Sequence, residues 1–114
     1  MTTRTNLAAI AIAALMATSA ATPVLSQSGG SPASKGYMDA MSKMQASMPK
    51  DPTGDADKDF ARMMIPHHQS AIDMAKVEIQ YGKDPDLRKM AEKIVKDQEK
   101  EIADFQKWLK DKGK

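Results

Sequence analysis

Two adjacent histidines, His67 and His68, are the residues of this sequence best suited to chemistry, and two adjacent methionines, Met63 and Met64, precede them. Side chains three or four positions apart on an α-helix lie next to each other, so each histidine has a thioether one turn before it. Thioethers are soft ligands that select Cu(I), and imidazole accepts Cu(I), Cu(II) or zinc. The pattern therefore favours a copper site. Two core histidines with partners on another helix would give the same spacing, and this alternative stays open.

A stripe of methionines occurs earlier in the chain, at Met38, Met41, Met44 and Met48. Methionine fills irregular gaps in cores, so a stripe at helical spacing is usually packing. From residue 27 onward, however, the chain has eight methionines and only two leucines. Leucine normally fills a core with better-defined rotamers. We therefore treat Met41, Met44 and Met48 as candidate copper ligands, with packing as an equal alternative.

The composition excludes several other kinds of site. The chain has no cysteine, which rules out disulfides, iron–sulfur clusters, Cys-based zinc sites and Cys nucleophiles. Its 17 Lys and Arg against 15 Asp and Glu give no reason to expect nucleic acid as a partner. A ferritin-like di-iron oxidase needs Glu three residues before a histidine, and neither His67 nor His68 has an acidic residue there. Ser70 lacks a Gly-x-Ser-x-Gly setting. We expect no enzymatic activity.

Three helices must position these residues. Apolar periodicity and turn residues predict them over about residues 36–48, 56–81 and 85–111. The turn Gly82-Lys83-Asp84 is so short that the second and third helices should form an antiparallel hairpin. The result is an all-α helical domain over residues 36–112. Its core is thin for a natural domain, so we expect a homodimer or a bound ion to complete it.

A leader and a spacer precede the first helix. Residues 1–26 contain Arg4, an apolar run over residues 7–17 and a tail of small residues. This order is typical of a secretory signal, and the run is shorter than the roughly 20 residues that span a bilayer. An uncleaved anchor is the alternative. We expect a periplasmic or secreted protein that does not enter the membrane after cleavage, with a disordered spacer over residues 27–35.

Three residues near the histidines could shape a site. Pro66 lacks an N–H, so the second helix either kinks there or begins afresh. On the third helix, Gln98 and Glu101 interrupt an apolar stripe. Buried polar groups need partners, so these two side chains either hydrogen-bond the histidine nitrogens that face away from a metal or reach solvent.

The segment 59–75, with Met-Ile-Pro-His-His-Gln at residues 64–69, resembles the signature of the domain-of-unknown-function 305 family. The similarity continues through residues 81–85 and along the third helix, and it covers residues 56–110. This resemblance implies a helical, ferritin-like fold and a secreted or periplasmic location. Because some members are associated with copper binding and copper tolerance, it also implies copper as the ligand.

Carried onto this chain, the resemblance points to five ligands: Met63, Met64, His67, His68 and Met74. Two departures from the family pattern matter. Phe105 stands where the family commonly has a methionine, which removes a ligand from the end of the third helix. The chain also holds a single copy with a short first helix, so a complete four-helix bundle would require a partner chain.

These observations predict an extracytoplasmic, methionine-rich protein of copper homeostasis that sequesters or passes on Cu(I), with Cu(II) as the second candidate. The alternative is a metal-free helical interaction or chaperone-like module whose methionine-rich face docks other helices. The copper hypothesis requires His67 and His68, and the alternative does not. An imidazole site should also lose its ion below roughly pH 6, where histidine becomes protonated.

Overall fold

The computed structural model describes residues 30–112 of the 114-residue chain. Within that range it contains no strand and three helices: α1 (Pro32–Ser47), α2 (Ala56–Tyr81) and α3 (Pro85–Lys112). The all-α prediction is confirmed. The predicted signal over residues 1–26 and residues 27–29 of the predicted spacer lie outside the described residues. In the part of the chain that is described, no helix has the length and apolarity needed to cross a membrane.

Helix α1 begins earlier than the sequence analysis predicts, at Pro32 rather than at residue 36. Ser31 caps it, because the Ser31 hydroxyl accepts a hydrogen bond of 3.1 Å from the backbone N–H of Ser34. Proline at the first helical position loses no hydrogen bond. Residues 32–35 therefore belong to α1, and the predicted spacer over residues 27–35 is too long.

Helix α2 is a single helix that continues through Pro66. The alternative that it begins afresh at this proline is wrong. Asp55 caps its N-terminus by accepting hydrogen bonds from the N–H groups of Asp57 and Lys58, at 3.0 and 3.1 Å. Because α2 is continuous through Pro66, the Met63–Met64 pair lies one helical turn before the histidines.

The loop between α1 and α2 is tied to the first turn of α2 by Asp59. Its carboxylate accepts hydrogen bonds from the N–H and hydroxyl of Thr53, both at 2.8 Å, and from the N–H of Gly54 at 3.1 Å. The Thr53 N–H, helped by the other two donors, lowers the pKa of Asp59 below its usual value. Gly54 has a φ of 84°, a conformation that favours glycine.

Helix α2 lies between the other two helices. Its buried residues fall on two nearly opposite sides of the helical wheel. One set lies toward α3 and consists of Ala61, His68, Ile72 and Ala75, and the other lies toward α1 and consists of Pro66 and Ser70. The α1 and α3 backbones do not approach each other within the described residues. The chain therefore forms a single layer of three helices.

Contacts between side chains give the direction of α2 relative to α3. Phe60, near the start of α2, contacts Phe105 near the end of α3. His68, further along α2, contacts Glu101, which is earlier in α3. The two helices therefore run antiparallel.

The fully buried apolar core is very small. Among the described residues it consists of Ala40, Ala61, Ile72, Ala75 and Ala91. Only Ile72 is larger than alanine. In a single layer, a helix is covered only where a neighbouring helix lies beside it, and the two broad faces of the layer stay open. Most large apolar side chains of the described residues are therefore partly exposed.

Replacing Gly36 by alanine is expected to destabilise the protein. A Cβ there would lie 2.7 Å from Cγ2 of Val77, a β-branched residue with little rotamer freedom. Overpacking costs roughly 1–3 kcal/mol, whereas alanine gains only about 0.5–1 kcal/mol over glycine in a helix. Urea denaturation should therefore show a lower free energy of unfolding. Ser42→Ala, at an exposed position of α1, is the control. A more stable Gly36→Ala variant would contradict the packing of α1 on Val77.

Candidate metal site

The structure separates the two histidines of the predicted site. His68 is buried, with 6% of its surface exposed, on the side of α2 that faces α3. His67 is exposed. The alternative of two core histidines is therefore wrong for His67. Consecutive helical residues point about 100° apart, so when His68 faces α3, His67 points toward a broad face of the layer that neither α1 nor α3 covers.

Glu101 of α3 orients the ring of His68. Its Oε2 lies 2.5 Å from Nε2 of His68, so the sequence alternative in which Glu101 hydrogen-bonds a histidine is the one observed. Nδ1 of His68 is buried and has no hydrogen-bond partner among the described residues. An ionised carboxylate only accepts, so Nε2 of neutral His68 carries the hydrogen and Nδ1 carries the lone pair. Protonation of Nδ1 would bury an unsatisfied donor.

This arrangement has a direct chemical meaning. A metal-binding histidine usually donates its second ring N–H to a carboxylate, which fixes the tautomer and leaves the other nitrogen free to bind the ion. His68 has that tautomer, with Glu101 as the carboxylate and Nδ1 as the free nitrogen. The only other use of Nδ1 would be a hydrogen bond, and the described residues offer no donor for it.

An aromatic wall flanks His68. Phe105 packs edge-on against the imidazole, with ring centroids 5.5 Å apart and planes at 88°. Phe60 packs against Phe105 in turn, with centroids 5.7 Å apart. Apolar rings on this side exclude water from His68 and lower the local polarity. From the sequence, Phe105 is only a missing methionine ligand, and its contact with His68 is not predicted. The spacing of four residues between Glu101 and Phe105, which places both on one stripe of α3, is the signal that could have indicated it.

His67 lies on the open side of the site. The ring centroids of His67 and His68 are 6.3 Å apart, and their planes are tilted by 57°. Because a metal–nitrogen bond is about 2 Å long, two imidazoles at this separation are close enough to share one ion. Met63, one turn before His67, is 47% exposed, and Met64, one turn before both histidines, is half-buried.

Met74 is on the same stripe of α2 as His67 but further along it. The two residues are separated by two helical turns, which is about 10 Å along the axis. Met74 is 38% exposed. Met74 is roughly 16 Å along the axis from Met63, too far for the two to share an ion within one chain. Helical spacing therefore places Met63 and Met64, but not Met74, within one turn of the histidines.

The methionines of α1 lie elsewhere. Met44 lines a groove of about 510 Å³ together with Pro66 and Ser70, and the lining of this groove includes neither histidine. Met41 is exposed, and Met48 is half-buried just after the end of α1. The candidate ligands of α1 are therefore not brought to the histidines by any contact that the structure records.

Harder ligands do not form a cluster in residues 30–112. No group of three or more His, Asp or Glu side chains comes together there in a way that could hold a metal ion. The thioethers of Met63 and Met64 are the soft donors within one helical turn of His67 and His68. This donor set suits a soft ion with few ligands better than zinc or a hard cation.

A known protein family covers most of the chain. The family model described as Domain of unknown function (DUF305) matches residues 6–109. The match includes α1, α2, most of α3 and every candidate ligand. No curated protein matches the chain. The family description gives no activity, so the function has to be inferred from the residues of the site.

Proposed function

The chain belongs to the domain-of-unknown-function 305 family, and on that premise we propose that it is an extracytoplasmic copper-binding protein that sequesters or passes on Cu(I). The proposed ligands are Met63, Met64, His67 and His68. Cu(II) is the second candidate ion, because imidazole accepts both oxidation states. The proposed location, periplasmic or secreted, rests on the signal predicted for residues 1–26. The proposal includes no catalytic step.

The observation that carries the proposal is the unpartnered Nδ1 of His68. A buried polar atom without a partner is rare, and each one calls for an explanation. The Glu101 carboxylate fixes the neutral tautomer in which this nitrogen has a lone pair. A metal ion would satisfy Nδ1 without requiring any other rearrangement of the His68–Glu101 pair.

The neighbouring methionines set the preference for Cu(I). Thioethers need no deprotonation before they bind, and they are too soft to hold zinc or calcium well. Met63 and Met64 are the thioethers within one helical turn of the histidines. Together with two imidazoles they supply up to four soft or borderline donors on adjacent turns of α2.

Differences in exposure among the ligands suit uptake and release of an ion. Met63 and His67 are exposed in the single chain, so an incoming ion can reach them from solvent before any partner covers them. Met64 is half-buried and His68 is buried beside Phe105. An ion that moves from the exposed pair to the shielded pair exchanges its ligands stepwise, and a partner protein can remove it by the reverse order.

The alternative function is metal-free binding of polypeptide. The observation that favours it is the exposure of methionines far from the histidines, with Met38 66% and Met90 58% exposed. Flexible thioether side chains suit a surface that docks varied helices. On this alternative, the donor properties of Met63 and Met64 have no importance, and leucine should replace them without loss.

The double variant Met63→Leu/Met64→Leu tests the proposal. Leucine keeps the apolar volume and removes both sulfur donors. In a competition titration of the metal-free protein with Cu(I) and a chelator, we expect the double variant to bind at least roughly tenfold more weakly, a difference of about 1.4 kcal/mol. The matched control is Met38→Leu/Met90→Leu, which should bind Cu(I) like the wild type. If the wild type competes no better than the double variant, the interaction function replaces the copper proposal.

A further inference from the structure

A band of exposed apolar side chains runs along α2 and α3, and we call this band the open face. Each member is at least 38% exposed, and the members are Phe60, Met63, Met74, Leu87, Met90 and Ile94. On α2, Phe60, Met63 and Met74 share with His67 an arc of about 60° on the helical wheel. On α3, Leu87 and Ile94 share a stripe with Phe105, which contacts Phe60. Both helices therefore present these residues on one side of the layer.

We infer that a second copy of this chain packs on the open face in an antiparallel arrangement, with His67 beside the two-fold axis. The inference does not depend on copper, because apolar side chains would form this interface without any ion. Three properties of the described residues support it: the amount of apolar surface, its symmetry about His67, and the size of the core in one chain.

The exposed surface has the size that a stable interface needs. A fully exposed large side chain presents roughly 200 Å², so six that are about half-exposed present on the order of 600 Å². A standard interface buries roughly 800 Å² on each partner. The neighbouring side chains of His67, Met64 and Tyr81 would supply the difference. No lysine or arginine lies within the α2 arc from Phe60 to Met74 that contains His67. Self-association of the α2 part of the open face therefore brings no like-charged cations together.

The sequence of α2 is self-complementary about His67. Phe60 and Met74 lie seven residues before and seven residues after it. In an antiparallel pair with the axis at His67, Phe60 of each copy therefore meets Met74 of the other. A sulfur–aromatic contact of this kind is favourable, and symmetry makes it occur twice.

The same register also matches large side chains with small ones. Met63 lies four residues before His67, and Ala71 lies four residues after it. The antiparallel pairing therefore places each Met63 over an alanine of the other copy, which leaves room for the thioether. A parallel arrangement would instead place Met63 against Met63 and Phe60 against Phe60.

The second copy would also supply the core that one chain lacks. Among the described residues, Ile72 is the largest side chain that one chain fully buries. Two α2–α3 pairs packed through their open faces give four helices around a common apolar centre, which is the architecture of a four-helix bundle. The ferritin-like bundle implied by the family resemblance would then be formed by two chains.

Sedimentation equilibrium of the metal-free full chain, with a chelator present, tests the dimer. We expect the wild type to have the mass of two chains. Ile94→Asp places a charge on the open face and should raise the dimer dissociation constant at least roughly tenfold. The control, Met38→Asp, introduces the same charge at an exposed apolar side chain of α1, outside the open face, and should leave the dimer intact. A monomeric wild type, or an Ile94→Asp variant that dimerises as tightly as the wild type, would overturn the inference.

Cysteine cross-linking tests the arrangement, since the chain has no cysteine of its own. His67→Cys lies beside the proposed axis, so a short thiol cross-linker should join the two copies. Phe60→Cys lies seven residues from the axis, which places its two copies roughly 20 Å apart in the antiparallel dimer, beyond a short linker. Linking of both variants would indicate a parallel dimer, and linking of neither would place the interface elsewhere. Far-UV circular dichroism of each variant confirms that its helices are formed.

The two proposals can fail independently. The dimer is measured without metal, and the copper site is measured with Met63→Leu/Met64→Leu, which keeps the open face apolar. A dimer that binds no Cu(I) would support the proposed interface and contradict the copper function. A monomer that binds Cu(I) through both methionines would support the copper function and contradict the interface.

Discussion

Replacing Glu101 by glutamine is expected to weaken Cu(I) binding roughly 10- to 100-fold, the usual effect of losing a partner that orients a metal ligand. The carboxylate can only accept a hydrogen bond, so it keeps the hydrogen of His68 on Nε2. A glutamine amide can donate as well as accept, so it no longer selects that tautomer. In the molecules where Nδ1 carries the hydrogen, the buried nitrogen is not available as a ligand. Chelator competition with Cu(I) measures the effect.

The control for Glu101→Gln is Glu99→Gln. Glu99 is exposed and carries the same charge on the same helix, two residues away. It should leave the affinity for Cu(I) unchanged. The ¹⁵N chemical shifts of the His68 ring give a second reading that needs no metal: the wild type should show a protonated Nε2 and an unprotonated Nδ1, and Glu101→Gln should show a mixture. A wild type with hydrogen on Nδ1 would contradict the role given to Glu101.

Replacing Ile72 by alanine is expected to lower the free energy of unfolding by about 2–5 kcal/mol. Ile72 is 2% exposed and is the only large apolar side chain that is fully buried among the described residues. Natural domains are stable by about 5–15 kcal/mol, and a core of this size places the chain at the low end. A loss at the upper end of this range would remove most of the stability of the chain. Urea denaturation followed by circular dichroism measures the loss.

The control for Ile72→Ala is Ile79→Ala, the same change at a half-buried position of α2. Because Ile79→Ala removes less buried surface than Ile72→Ala, it should lower the free energy of unfolding by a clearly smaller amount. Both variants should be compared at one protein concentration, since an associating chain gains stability from its partner. Equal losses at the two positions would contradict the assignment of Ile72 as the most deeply buried large side chain of the core.

The helices and their ends follow from local residues. Asp55 accepts from the N–H groups that the first turn of α2 leaves free, and the Gly82–Asp84 turn separates α2 from α3. These are short-range interactions, so they are predictable from the sequence. The early start of α1 is also a short-range effect, because Ser31 followed by Pro32 is a local capping signal. The prediction of α1 from residue 36 did not use this signal.

The sequence also located the candidate site. The spacing of Met63, Met64, His67 and His68 on one helix places their donors on adjacent turns in any structure in which that helix forms. Pro66 was the only residue that put this in doubt, and the sequence could not decide whether the helix continued. Packing decided it, because the proline ring is buried in the middle of an uninterrupted α2.

The set of helices and the residue types along each one are therefore encoded locally. Packing of the helices determines that His68 faces α3 while His67 stays exposed, and that Glu101 orients His68. Packing also places Met44 in a groove without either histidine. The difference lies in the range of the interactions. Hydrogen bonds and caps within a helix depend on near neighbours in the chain, whereas the side of α2 that becomes buried depends on how α1 and α3, distant in sequence, pack against it.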